Sequence, residues 1–229
     1  MPRSPGARSL AAGTALACLL AAGAARADRP RQHDSFYLRL GVGPGFVSDP
    51  AKVEFGGLEG EATLTGVGAA TEVALGGTVA PGLIVGGGIY SQLVVEPRAN
   101  DAEISVFGLS GEVDDVTFES FSFHLLGPFV DYYVDPRRGF HLQGSVGLGL
   151  LGVGDGEVDG NDNPALREHG SAGVGAMVGI GYDWWVSDRW SLGVLGRVSY
   201  AAMSGENDDE AEWSHRVLAP ALLFTATMN

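Results

Sequence analysis

The sequence predicts an all-β protein, an eight-stranded antiparallel up-and-down transmembrane β-barrel. Three observations carry that expectation. Apolar side chains recur at every second position through eight segments, which is the period of a strand and not of a helix. The opposite face is mostly glycine, serine and isolated charges, too small to fill a soluble core but suited to the lumen of a narrow barrel whose greasy side meets lipid. The connections alternate between a few residues and roughly eight to twenty, which places short turns at one end and long loops at the other.

Residues 1–27 read as a secretory leader. Arg3 and Arg8 precede an apolar run from Leu10 to Ala25, and Ala25-Arg26-Ala27 forms a cleavage site before Asp28. The run is short for a membrane helix. Ala15-Leu16-Ala17-Cys18 is a loose lipoprotein signal, but the residues after Cys18 continue the apolar run and open no polar tether. Of the 14 basic residues, Arg3, Arg8 and Arg26 lie in the leader, which holds no acid. The remainder therefore sets 11 basic against 28 acidic residues, a formal charge of −17. Cys18 is the only cysteine, so residues 28–229 have no disulfide and no thiol chemistry. So acidic a chain argues against nucleic acid as a partner. One style of patterning over residues 28–229 points to one domain. No stretch after residue 27 is apolar enough for a membrane helix, so insertion requires a closed barrel with no unpaired edge.

Each segment follows the pattern. In 35–47, Phe36, Leu38, Leu40 and Val42 oppose Tyr37, Arg39, Gly41 and Gly43. In 66–79, Thr71, Val73 and Leu75 oppose Ala70, Glu72, Ala74 and Gly76, and Val79-Ala80-Pro81-Gly82 is a turn by composition. In 83–96, Leu83, Val85, Ile89, Leu93 and Val95 face out, with Gly86, Gly88, Tyr90 and Gln92 inward. In 118–134, Phe121, Phe123, Leu125 and Phe129 are expected outward and Ser122, His124 and Tyr132 inward, before the turn Asp135-Pro136-Arg137-Arg138-Gly139. In 140–152, Phe140, Leu142, Val146, Leu148 and Leu150 oppose His141, Gln143, Ser145, Gly147 and Gly149.

The clearest hairpin is 171–203. Val174, Ala176, Val178, Ile180, Tyr182 and Trp184 oppose Gly173, Gly175, Met177, Gly179, Gly181 and Asp183. After Ser187–Asp188, Trp190, Leu192, Val194, Val198 and Tyr200 oppose Ser191, Gly193, Arg197 and Ser199. The last segment, 213–228, alternates weakly, with Leu218, Leu222, Phe224 and Met228 assigned outward. Long loops are expected near 48–65, 97–117, 153–170 and 204–212. Phe36, Tyr133, Phe140, Tyr182, Trp184 and Trp190 lie near strand ends and read as an interfacial aromatic girdle.

With this pattern, residues 35–229 resemble the small eight-stranded outer-membrane proteins of the OmpA transmembrane-domain and OmpX type. The resemblance rests on patterning and topology, and implies a monomer in the outer membrane of a Gram-negative envelope, in contact with lipid and lipopolysaccharide. The eighth strand ends the chain, so no periplasmic domain and no peptidoglycan binding are expected. The terminus Thr227-Met228-Asn229 departs from the aromatic ending common in such barrels.

The polar groups expected inside are Arg39, Glu72, His124, His141, Gln143, Asp183 and Arg197. They read as a lumen plug in which Glu72 pairs with Arg39 or Arg197, because an unpaired charge there is costly; the functional alternative is a gate opened by breaking that pair. Enzymes exist on this scaffold, and His169-Gly170-Ser171 has the H-x-S spacing that a lipid A deacylase uses for base and nucleophile. Asp183, however, lies about 40 Å away along the same strand, while Glu168 sits in a loop, so no catalytic set is expected.

Acidic residues concentrate in the loops: Glu112, Asp114 and Asp115; Asp155, Glu157, Asp159 and Asp162; Glu206, Asp208, Asp209, Glu210 and Glu212. Asp155-x-Glu157-x-Asp159-Gly160 begins like an EF-hand, but Leu166 occupies the place of the final glutamate. Plain solvated, like-charged loops are the expected reading there, with weak divalent-cation binding through lipopolysaccharide-bridging ions as the alternative; no cofactor or dedicated metal site is expected. No glycine-rich stretch leads into a helix, so no phosphate loop is implied. The expected role is structural or surface-interactive through acidic loops, with no enzymatic activity. The alternatives are a narrow channel for small or apolar solutes and a lipid-modifying enzyme.

Overall fold

The computed structural model describes residues 36–55, 58–106, 109–113, 116–158, 161–162, 168–206 and 212–229. The leader, Cys18, Asp114, Asp115, Asp159, Leu166, Asp208, Asp209 and Glu210 lie outside the described residues. Glu112, Glu157, Asp162 and Glu206 enter only through their backbone pairing.

Among the described residues thirteen strands form one sheet: β1 (Phe36–Phe55), β2 (Leu58–Ala80), β3 (Leu83–Val95), β4 (Arg98–Val106), β5 (Leu109–Val113), β6 (Val116–Phe118), β7 (Ser120–Tyr133), β8 (Phe140–Val153), β9 (Gly156–Val158), β10 (Asn161–Asp162), β11 (His169–Trp185), β12 (Trp190–Glu206) and β13 (Glu212–Met228). Eight of them, β1, β2, β3, β7, β8, β11, β12 and β13, pair antiparallel in chain order, and β1 pairs with β13 to close the cylinder. Closure leaves no wall edge unpaired, the condition for a sheet in lipid. The short turns are Pro81–Gly82, 134–139 and 186–189, all at one end; Gly82 has φ 75°, a conformation few other residues accept in so tight a turn.

The wall is greasy outside. Val42, Val67, Val73, Ile89, Val146, Val174, Val178, Leu222 and Phe224 are all exposed. A continuous belt of this kind is incompatible with a water-facing surface and matches the hydrocarbon-facing band of a membrane barrel. Inside, glycines permit close approach. A Cβ on Gly147 would come within 2.0 Å of the Leu126 carbonyl oxygen, and one on Gly127 within 2.0 Å of that of Val146.

Two expectations are corrected. The inner and outer faces of β7 are reversed: Phe121, Phe123, Leu125 and Phe129 are buried in the lumen, whereas His124 and Tyr132 lie on the outer wall. Both faces of β7 carry bulky residues, so its own pattern is ambiguous. Gly86 of β3 leaves room for the Phe129 ring, and Gly175 of β11 for Leu125. Second, much of the expected loop is ladder. Residues 48–55 and 58–65 prolong β1 and β2, and β4 pairs with β2 over 58–65. β5, β6, β9 and β10 extend that sheet at the loop end. Beyond the hydrocarbon neither face needs to be greasy, so the alternation fades at Asp49, Lys52, Glu54, Glu59 and Glu61 while the pairing continues.

Candidate functional site

The lumen is filled in layers. Near the turns, Arg39 of β1 is fully buried and forms ion pairs with Asp131 of β7 at 3.0 Å and Asp183 of β11 at 3.2 Å. It also donates to the Tyr133 hydroxyl at 2.8 Å and Thr227 Oγ1 at 3.1 Å. Tyr37 donates to Asp131 at 2.7 Å, and Tyr133 to Asp183 at 2.5 Å. His141 Nδ1 lies 2.9 Å from the other oxygen of Asp131, and its Nε2 lies 3.3 Å from an Arg39 nitrogen. Two carboxylates thus share one guanidinium, and the remaining oxygens are met by hydroxyl or imidazole donors, which makes burial of these charges tolerable.

Deeper along the strands, Arg197 of β12 reaches across to Glu72 of β2 at 3.2 Å and donates to the backbone oxygens of Thr71 and Ser91, each at 3.1 Å. Gln143 donates to the second oxygen of Glu72 at 2.9 Å. Glu72 therefore pairs with Arg197, while Arg39 has Asp131 and Asp183. Toward the loops the lumen turns apolar, with Phe121, Phe123, Leu125, Leu151, Met177, Met203 and Val217 packed together.

At the loop end a second polar group is buried. Asp49 of β1 lies 2.7 Å from His215 Nδ1 of β13, and its other oxygen accepts the Arg216 N–H at 3.0 Å. The Nε2 of His215 is 3.3 Å from the Nε2 of His169 on β11. Trp213 stacks on His169 with centroids 4.0 Å apart. Among the described residues, Ser171 Oγ and Trp213 Nε1 are buried without a hydrogen-bond partner. Asp183 belongs to the turn-end network, so the H-x-S pair and Asp183 are not brought together.

Of the six girdle candidates, Phe36, Phe140, Tyr182 and Trp184 are exposed on the outer wall near the turns, and Trp190 is half-buried there. Tyr182 and Trp184 touch, with centroids 4.9 Å apart. Tyr133 is corrected: it is fully buried in the lumen, and Tyr132 takes the outward place. Period two allows no other outcome once the neighbouring Asp131 faces Arg39. His124 lies outside and pairs with Ser91 at 2.8 Å. The sequence reading missed Asp131, Tyr37, Asp49, His215 and Trp213. For Asp131 a signal existed, since an acid inside an apolar strand demands an interior partner.

Closed, even-stranded, greasy outside and polar within, the structure has the architecture of a small outer-membrane barrel. No family model and no curated protein matches the chain. Solved structures do. The outer membrane protein OprG from Pseudomonas aeruginosa is 10% identical, over 87% of this chain and 99% of that one, at a TM-score of 0.46. Neisserial surface protein A is 13% identical over 84% and 96%, at 0.42. The outer membrane protease OmpT from Escherichia coli is 9% identical over 90% and 99%, at 0.47.

Proposed function

We propose that this chain is an exported outer-membrane protein of a Gram-negative envelope, whose barrel is a plugged anchor and whose working surface is the loop end. Its role is structural or interactive, not catalytic. The observation that carries this reading is the filled lumen: the Arg39 network, the Arg197–Glu72 layer, the Phe121–Phe123–Leu125 layer and the His215 group succeed one another along the axis. A solute would have to break two buried ion-pair networks and an apolar layer to pass, which disfavours a channel.

At the loop end, carboxylates stand abreast. Glu54 is opposite Glu59 on one side and Glu212 on the other. Like charges directly opposite one another are unfavourable, so such a row supports divalent cations shared with lipopolysaccharide phosphates as partners. With every wall strand paired on both sides, a monomer is the expected state. The leader 1–27 would direct export.

Beyond Cys18 the chain has no cysteine, so single cysteines can report exposure. A membrane-impermeant maleimide on intact cells is expected to label Ser204→Cys, at the loop end, and to spare Arg137→Cys, in a turn. The purified protein is expected to give no conductance steps in planar bilayers. Equal labelling of Arg137→Cys, or stepped conductance from the wild type, would overturn the reading.

A further inference from the structure

The loop-end histidines form a buried polar pair beyond the apolar layer of the lumen. They come from β11 and β13, which are separated by β12, yet their Nε2 atoms face each other at 3.3 Å with both side chains buried. Each ring is held by a neighbour. Asp49 engages His215 Nδ1 at 2.7 Å, which leaves the Nε2 lone pair of His215 turned toward His169. Trp213 stacks on His169 at an interplanar angle of 14°. We propose that His169 and His215 are two nitrogen ligands of a late-transition divalent cation, of the zinc or copper class, bound at the loop end of the barrel.

Three observations support the assignment. Metal–nitrogen bonds of 2.0–2.1 Å at a tetrahedral angle put the two nitrogens roughly 3.3 Å apart, and 3.3 Å is the separation here. A carboxylate on the far nitrogen of a ligating histidine is the usual supporting contact, fixing tautomer and ring orientation and raising ligand basicity. Asp49 stands in that position. Finally, Trp213 Nε1 and Ser171 Oγ are buried without partners, and Ser171 is the next inward residue after His169 on β11. Buried polar atoms left over in this way point to a water or ion that the chain does not itself supply; a metal-bound water would accept from the indole N–H.

Among the described residues no group of three or more His, Cys, Asp or Glu converges on one point, so solvent completes the coordination. A groove of about 410 Å³, lined by Lys52, Glu54, Glu212 and Trp213 among others, leads to the stacked indole. Its glutamates raise the local concentration of cations. Imidazole selects zinc, copper and nickel over magnesium and calcium, which separates this site from the carboxylate row of the loops.

The alternative is a plain hydrogen bond between the two rings. The discriminating experiment uses the untagged protein, residues 28–229, folded in detergent micelles, with Cu²⁺ followed by electron paramagnetic resonance and Zn²⁺ by calorimetry. One equivalent is expected to bind with two imidazole nitrogens in the spectrum. His169→Gln and His215→Gln should each remove one nitrogen, and Asp49→Asn should weaken binding about 10–100-fold. His124→Gln, on the outer wall, should change nothing. X-ray absorption on the zinc-loaded wild type needs no variant and should show two nitrogens at about 2.0 Å. An all-oxygen shell, no stoichiometric binding, spectra indifferent to both histidine variants, or displacement by equimolar Mg²⁺ would each overturn the proposal.

Discussion

Replacing Arg39 by methionine removes the cation that two buried carboxylates share while keeping most of the side-chain volume. Ion pairs of 3.0 and 3.2 Å are lost, together with the donors to Tyr133 and Thr227. Asp131 keeps Tyr37 and His141, and Asp183 keeps Tyr133 and Thr225, so neither carboxylate loses every donor. All these groups are buried, so water cannot take the place of the guanidinium. Breaking a buried pair from one side costs about 3–5 kcal/mol, and the surviving donors put Arg39→Met in the lower part of that range. Neutralising both carboxylates as well, in Arg39→Met with Asp131→Asn and Asp183→Asn, removes the stranded charges and should restore most of the loss. The assay is urea unfolding in lipid vesicles, read by the gel mobility of the unheated folded barrel, with the denaturant slope checked for constancy. A single variant within about 1 kcal/mol of wild type, or a triple variant no more stable than the single one, would refute the electrostatic account of the turn-end lumen.

Other substitutions test other parts of the fold. Tyr133→Phe deletes a hydroxyl bonded to Asp183 and Arg39 and should cost about 1–3 kcal/mol, whereas Tyr132→Phe on the outer wall should stay within about 0.5 kcal/mol; the same urea titration separates them. Val178→Arg places a charge in the exposed greasy belt and should cost about 2–4 kcal/mol in vesicles, against about 0–1 for Ser204→Arg at the loop end. Gly147→Ala drives a methyl into the Leu126 carbonyl and should cost about 1–3 kcal/mol. Gly144→Ala, whose Cβ would meet only the Met177 oxygen at 3.8 Å, should be close to neutral, and the difference in midpoint urea concentration checks both.

The positions of all eight wall strands were legible because period two recurs across the hydrocarbon, weakly in β13 and plainly in the others. Where one face is glycine-rich, as in β3, β8 and β11, the facing was legible too. On β7 it was not. Phe121, Phe123, Leu125 and Phe129 look like a lipid face, but so do Leu126, Val130 and Tyr132 on the other side. That one parity decision had three consequences, because a one-residue slip turns every side chain over. It sent His124 inward, assigned Tyr133 to the girdle, and hid Asp131, the partner of Arg39. The loop-end group was illegible for a different reason. Asp49 and His215 are 166 residues apart in the chain, and His169 and His215 are 46 apart, so no local spacing announces their meeting.

By itself the sequence determined the chain's class, its eight wall strands and the greasy belt, since these depend on the local alternation of side chains and on the demand that lipid-exposed backbone be paired. Only the tertiary structure decided which buried charges meet and which face of β7 fills the lumen. Those outcomes follow from register around a closed cylinder, where shear brings together residues from strands far apart in the chain, and from the volume that the neighbouring glycines leave to be filled.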